Sequence, residues 1–388
     1  MKKYRLKKNI HEGDYWILIL TLGISLFGIV MEFSAGYYVS LSKFGDPYYY
    51  LKNAALWFLI GWAAFIICSF INYNIYKHIA IPALIFGFVL LALLFTPLGK
   101  TINNATRWIE IMNGRITIMP GEIIKTCMIL FFAWFYARNK EFASKLPWIL
   151  FSLMIAGAAF FLIYKQPNLS TAIITVALVI GMMFLAGLPL VYVFGAMGAV
   201  AAGIVFLLQY KGGYMMNRVT SFTRPFEDAL GAGYQVVQGL LALGSGGVLG
   251  VGLGNSIQKA FYLPEAQSDF ILAIIGEELG FVGILCLMAA YLALVYFIFS
   301  VALRAKDRFG MLLAGGVGIH LGLQVILNIA VVTASAPATG VVLPLVSAGG
   351  NALVLYMVEL GIVYNVSKQS RYIDIDETES EERSEVIE

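Results

Sequence analysis

Four acids crowd one short stretch, FYLPEAQSDFILAIIGEELG, residues 261–280: Glu265, Asp269, Glu277 and Glu278. From Phe270 onward the chain is otherwise apolar for more than the thickness of a bilayer. Ionisable groups inside such runs are costly and mark functional sites. Asp269 stands at the mouth of the run, where a carboxylate keeps contact with water and suits a general base. On one continuous helix Asp269 and Glu277 lie about two turns apart, and Glu278 faces roughly the opposite way. The acids therefore cannot all share a cavity, and Glu277 and Glu278 are expected to hydrogen-bond neighbouring helices.

A second charged pair, Glu122 and Lys125, opens another apolar run in MPGEIIK. Their spacing of three puts both on one helix face, where each neutralises the other. Two readings fit: a pair that fixes the helix, and a substrate site in which Lys125 attracts a phosphate. The glycines of GSGGVLGVGLGNSIQK resemble a phosphate loop only superficially. There is no GxxxxGK[ST] and no strand before them. Small residues of this density instead let irregular backbone pack against helices at a membrane surface. Cys68, Cys127 and Cys286 all lie in apolar runs and form neither a disulfide framework nor a zinc pattern. His320, inside a membrane run, reads as a packed, hydrogen-bonded side chain before it reads as a proton relay.

The elements that position these groups follow from composition. Of 388 residues, 60% are hydrophobic and 13% charged, and mean hydropathy is +0.82. That excludes a soluble domain and defines an all-α integral membrane protein. Apolar runs of roughly bilayer length cover 15–35, 54–71, 79–98, 118–137, 148–164, 169–188, 189–209, 270–303, 310–332 and 341–363. They predict about ten transmembrane helices with both termini on one side. A basic segment, 1–14, precedes a membrane domain, 15–366, and an acidic, disordered tail, 367–388, follows it. The first run is long enough to be a retained span rather than a signal peptide.

Lysines and arginines near both ends and at Lys77, Arg138, Lys140, Lys145, Arg304, Lys306 and Arg308 fall on one side when the runs are counted alternately. The positive-inside rule makes that side cytoplasmic. Residues 210–268 then form a large extracellular loop between the seventh and eighth spans. Arg107, Arg115, Lys211, Arg218, Arg224 and Lys259 are left on the outer face, which suggests an anionic ligand presented there. No nucleic-acid signature is present.

The run YQVVQGLLALGSGGVLGVGLGNSIQKAFYLPEAQSDFILAIIGEELGFVG closely resembles the signature of the SEDS family, the FtsW, RodA and SpoVE proteins. NNATRWIEI, MPGEIIK, KQPNLSTA and PATGVVLPLVSAGGNA match further family motifs in the expected order. The resemblance covers the chain between its tails. It implies a ten-helix peptidoglycan glycosyltransferase of the bacterial cytoplasmic membrane. Such an enzyme polymerises lipid II, the undecaprenyl-pyrophosphate-linked disaccharide peptide, beside a class B penicillin-binding protein, in division, elongation or sporulation. The family's essential acid falls on Asp269. Its substrate-binding positions fall on Arg107, Trp108, Glu122, Lys125, Gln258, Lys259, Pro264 and Glu265.

On that resemblance Asp269 would deprotonate a GlcNAc hydroxyl, which attacks the anomeric carbon of a lipid-linked MurNAc. Arg107, Lys125 and Lys259 would stabilise the departing pyrophosphate. No cofactor motif and no cluster of hard metal ligands is evident, so a divalent cation assisting the pyrophosphate would lack a recognisable protein site. The chain departs from the family pattern at Gly121, Asn168 and Ala348. Two other readings are a lipid II flippase, which inverted repeats would favour, and a catalytically weak scaffold that activates a penicillin-binding partner. No clear internal repeat is seen.

Overall fold

The computed structural model describes residues 13–102, 105–111, 116–139, 145–189, 191–193, 223–231, 233–338 and 340–370, together with 195 and 198. Its helices are α1 Tyr15–Phe44, α2 Tyr49–Phe70, α3 Tyr76–Leu93, α4 Pro120–Arg138, α5 Leu146–Tyr164, α6 Leu169–Leu185, α7 Tyr234–Gly246, α8 Ile271–Arg304, α9 Arg308–Val332 and α10 Gly350–Lys368. Seven stretches, including α3 with the turn before it, are long and apolar enough to cross a membrane. To these are added α4, which carries the buried charges Glu122 and Lys125, and the shorter apolar α6. The expected seventh span, 189–209, lies largely outside the described residues, as do Arg115, Lys140, Lys211, Arg218 and the tail beyond 370.

Burial divides the helices into two sets. α4, α9, α10 and the first part of α8 are buried on nearly every side. α1, α2, α3 and α5 keep apolar faces exposed, as lipid-facing helices do. Small residues allow the central helices to meet closely. A Cβ on Gly361 of α10 would stand 2.6 Å from the Phe65 carbonyl of α2.

Polar side chains inside the bundle bond across helices. His320 Nδ1 of α9 lies 2.9 Å from Glu359 of α10, and Thr126 Oγ1 of α4 donates to the same carboxylate at 2.6 Å. His320 is thus a buried, hydrogen-bonded tie between helices. One end of the bundle gathers basic groups: Arg304 meets Asp14, and Lys77 meets Asp307, which also caps α9 by accepting from Gly310 N–H.

Four features depart from the sequence reading. First, a three-stranded antiparallel sheet joins α3 to α4: β1 Gly99–Ile102, β2 Ala105–Ile111 and β3 Ile116–Ile118. Its threonines and isoleucines favour strand. Second, the long loop contains α7. Third, the last span starts at Gly350, not at 341, because 341–349 includes Pro344 and has no helical conformation. Fourth, the acidic helix α8 is not continuous: Gly280 breaks it with φ 69° and ψ −169°.

That break explains the glycine run. Residues 247–252 lie against the interrupted helix as a strap. Val251 and Gly252 N–H donate to the Glu277 and Glu278 carbonyls, and Phe281 and Val282 N–H donate to Gly247 and Val248 carbonyls. The groups the helix loses are thereby satisfied. Backbone meets backbone here: a Cβ on Gly246 would lie 1.9 Å from the Gly276 carbonyl, and one on Gly250 would lie 2.2 Å from that of Glu278. Only glycine permits such contact.

Candidate active site

Asp269 lies in the turn just before α8, at the end of the bundle opposite the basic cluster, and is 7% exposed. Its backbone is held from below. Asn328, fully buried on α9, donates through Nδ2 to the carbonyls of Asp269 at 2.9 Å and Val341 at 2.7 Å. One amide therefore joins the Asp269 turn to the loop between α9 and α10. In that loop Gly340 adopts φ 75°. A Cβ on it would stand 3.6 Å from Arg107 Nη1 and 3.9 Å from Asp269 Oδ2. The guanidinium and the carboxylate, from opposite ends of the sequence-read site, thus flank the same backbone position.

Arg107 reaches this place from β2, and its Nη2 donates to the Pro167 carbonyl at the turn before α6. Trp108 is the next residue of the same strand, so its side chain leaves the opposite face. The sheet that was expected to be loop is what aims Arg107. Asn168, a departure from the family pattern, still caps α6 by accepting from Thr171 N–H at 3.3 Å. Ala348 contributes its backbone, donating to the Gln267 carbonyl at 2.9 Å, and a Cβ on Gly121 would meet only a methyl of Thr171, at 3.2 Å.

The other acids are committed elsewhere. Glu277 accepts from Ser256 Oγ and from the N–H groups of Ile257 and Gln258. Glu278, completely buried, takes Lys259 Nζ at 2.6 Å and Ser34 Oγ of α1 at 2.7 Å. Both lock the loop that follows the glycine strap. Lys259 is itself only 3% exposed. Glu122 and Lys125 pair at 2.8 Å within α4, the lysine fully buried. Pro264 offers its carbonyl to Gln235, and Glu265 is exposed with φ 53°.

The sequence-read residues thus form three groups: Asp269 with Arg107, the strap lock of Gln258, Lys259, Glu277 and Glu278, and the Glu122–Lys125 pair. Asn328, Gly340, Ser34 and Ser256 complete them and were not singled out from sequence. The signal available for Asn328 was an amide spaced four residues after Gln324 in the otherwise apolar run LQVILNIAVV. Among the described residues no three His, Cys, Asp or Glu side chains gather as a metal site would require.

An acid and a cation, held by separate elements, thus flank one backbone position at one end of a bundle of apolar helices, the architecture of a multi-pass membrane protein. The chain belongs to the FtsW/RodA/SpoVE family of cell cycle proteins, whose model matches residues 15–372. It is 36% identical over 94% of its length to a probable peptidoglycan glycosyltransferase FtsW of Geobacter sp. (strain M18), covering 99% of that protein. It is likewise 36% identical to stage V sporulation protein E of Bacillus subtilis, over 92% of this chain and 98% of the relative. Its fold is similar to a chain of a peptidoglycan synthase complex that coordinates polymerization and crosslinking, with a TM-score of 0.76 at 24% identity over 93% of this chain and 99% of that one. Thermus thermophilus RodA gives a TM-score of 0.68, also at 24% identity, covering 93% and 98%.

Proposed function

We infer that this chain is a peptidoglycan glycosyltransferase that polymerises lipid II into glycan strands at the outer face of the bacterial cytoplasmic membrane. The observation that carries the reading is the convergence of Asp269 and Arg107 on Gly340. Asp269 takes the proton of the acceptor hydroxyl on a GlcNAc. The oxygen attacks the anomeric carbon of a MurNAc, whose bond to undecaprenyl pyrophosphate breaks. Arg107 stabilises the negative charge that leaves with the pyrophosphate. Lys125 and Lys259, buried in ion pairs, act on the substrate less directly: Lys259 fixes the loop that leads to Asp269, and Lys125 with Glu122 sets the position of α4.

The end of the bundle with Arg304, Lys77 and Lys368 is cytoplasmic by the positive-inside rule, and the described chain enters there at Asp14 and leaves there after Lys368. A class B penicillin-binding protein is the partner that the synthase-complex likeness supports. The test is direct. Purified full-length protein, with and without that partner, is given lipid II and the product is resolved by length. Glycan chains that vanish in Asp269→Asn support the reading. Lipid II movement across vesicles without polymerisation would replace it with a flippase.

A further inference from the structure

Aromatic rings crowd the end of α1 and the start of α2, at the same end of the bundle as Asp269. α1 is 30 residues long, about 45 Å at 1.5 Å per residue, against a hydrocarbon core of about 30 Å. Its last turn is exposed on every side and includes Ser42 and Lys43. Just beyond it Asp46 and Lys52 form an exposed ion pair at 2.7 Å. The rings at this wet level are ordered against each other: Phe44 stacks on Tyr49 at 3.7 Å, and Phe33 stacks on Tyr48 at 5.8 Å. Tyr48 remains 53% exposed.

The array is continuous with the loop that carries Asp269. Phe261 lies 6.4 Å from Tyr38, and Gln267 donates to the Tyr50 hydroxyl at 3.4 Å. Phe261 is 60% exposed and holds φ 68°, a backbone state that is strained for a bulky residue. A ring that only anchors the protein in lipid needs no such strain. Neither does it need a link to the acid's own loop.

We propose that these rings form a saccharide subsite that holds the glycan product between additions. The inference rests on the glycosyltransferase reading, which supplies the ligand class: β-linked pyranose units. Pyranose rings present apolar C–H faces that stack on aromatic faces, and the tyrosine hydroxyls bond to the rim of sugar hydroxyls. A chain held at several units dissociates more slowly, so the subsite sets product length rather than the rate of each bond-forming step.

Full-length protein with its partner is assayed on labelled lipid II, comparing initial consumption with product length in Tyr48→Ala, Phe261→Ala and the double variant. Mean length is expected to fall about fivefold, as faster dissociation dictates, and by much more than the initial rate; Tyr48→Trp restores it. Binding of a lipid-free GlcNAc–MurNAc tetrasaccharide to the detergent-solubilised protein is measured alongside and should weaken in the same variants. Unchanged length, or length and rate falling in parallel, overturns the subsite. So does altered membrane retention with length preserved, which would make the rings an interfacial belt. Ring-dependent tetrasaccharide binding by a wild type that makes no polymer would sink the glycosyltransferase reading and leave the subsite standing.

Discussion

Asp269 and Glu278 belong to one short stretch of chain, yet the structure gives them opposite surroundings. Glu278 is completely buried, with Lys259 Nζ at 2.6 Å and Ser34 Oγ at 2.7 Å. Its charge is spent on holding a loop against α1. Asp269 lies before the helix begins, its backbone fixed by Asn328 and its carboxylate beside Gly340, with Arg107 flanking the same glycine. The difference teaches that an acid in a membrane protein is assigned by what closes around it. Glu278 is locked in a buried ion pair that ties a loop to α1; Asp269 is fixed through its backbone at the end of the bundle, where its carboxylate and the Arg107 guanidinium flank one backbone position.

The sharpest way to break this contrast is to neutralise each acid in turn. Asp269→Asn is expected to fold and reach the membrane while polymerisation falls by ~10²–10⁴, the usual loss for a missing general base. Near-normal chain formation would remove the distinction. Lys259→Met should instead strike stability, by about 3–5 kcal/mol, since it strands a buried carboxylate. The double variant Lys259→Met, Glu278→Gln should recover most of that loss in a detergent melt. A double-mutant cycle that sums without coupling would mean the pair is not a unit. Asn328→Ala should cost activity by way of kcat with Asn328→Gln failing to rescue, because at this fully buried position the extra methylene carries the amide past the Asp269 and Val341 carbonyls; the pH profile shows whether the base is displaced.

A milder test concerns the strap. Gly280→Ala places a side chain 2.3 Å from Gly250 N and should lower the melting temperature by an amount corresponding to about 1–3 kcal/mol, as forced backbone does. The smallest effect is expected at the other end of the bundle. Burial of Asp307 opposes its charge, but the Lys77 hydrogen bond, the Gly310 N–H and the Tyr73 hydroxyl outweigh it and hold the carboxyl below its ordinary range. A depressed folded-state value gives stability that is present above the unfolded carboxylate range and lost as pH falls through the folded one. Asp307→Asn should therefore be slightly less stable at neutral pH, with the gap closing in acid. A gap independent of pH would leave only the helix cap at work.

The membrane class and most of the spans were legible because hydrophobicity is additive along a chain: the apolar stretches of α1, α2, α5, α8 and α9 announce themselves without reference to any partner. The Glu122–Lys125 pair was legible for a related reason, since helical spacing alone brings the two together. Strand β2 was harder to see. Its alternation is short, and a sheet exists only when β1 and β3 bond to it, so the element that aims Arg107 was hidden in what looked like a loop. The helix break at Gly280 was hidden too, because a glycine in an apolar run is tolerated in a continuous helix unless another backbone arrives to take its hydrogen bonds.

By itself, then, the sequence determined a multi-span membrane protein, the residues able to carry charge, and the acid placed at a helix mouth. Tertiary structure decided which of those charges neutralise one another. Lys259 and Ser34 are far from each other in the chain and both meet Glu278; Arg107 and Gly340 are farther still and meet at Asp269. Local spacing governs who can pair within a helix, but only the packing of elements from distant parts of the chain fixes which buried charge meets which group: Lys259 with Glu278 beside the strap, Arg107 and Asp269 around Gly340 at the end of the bundle.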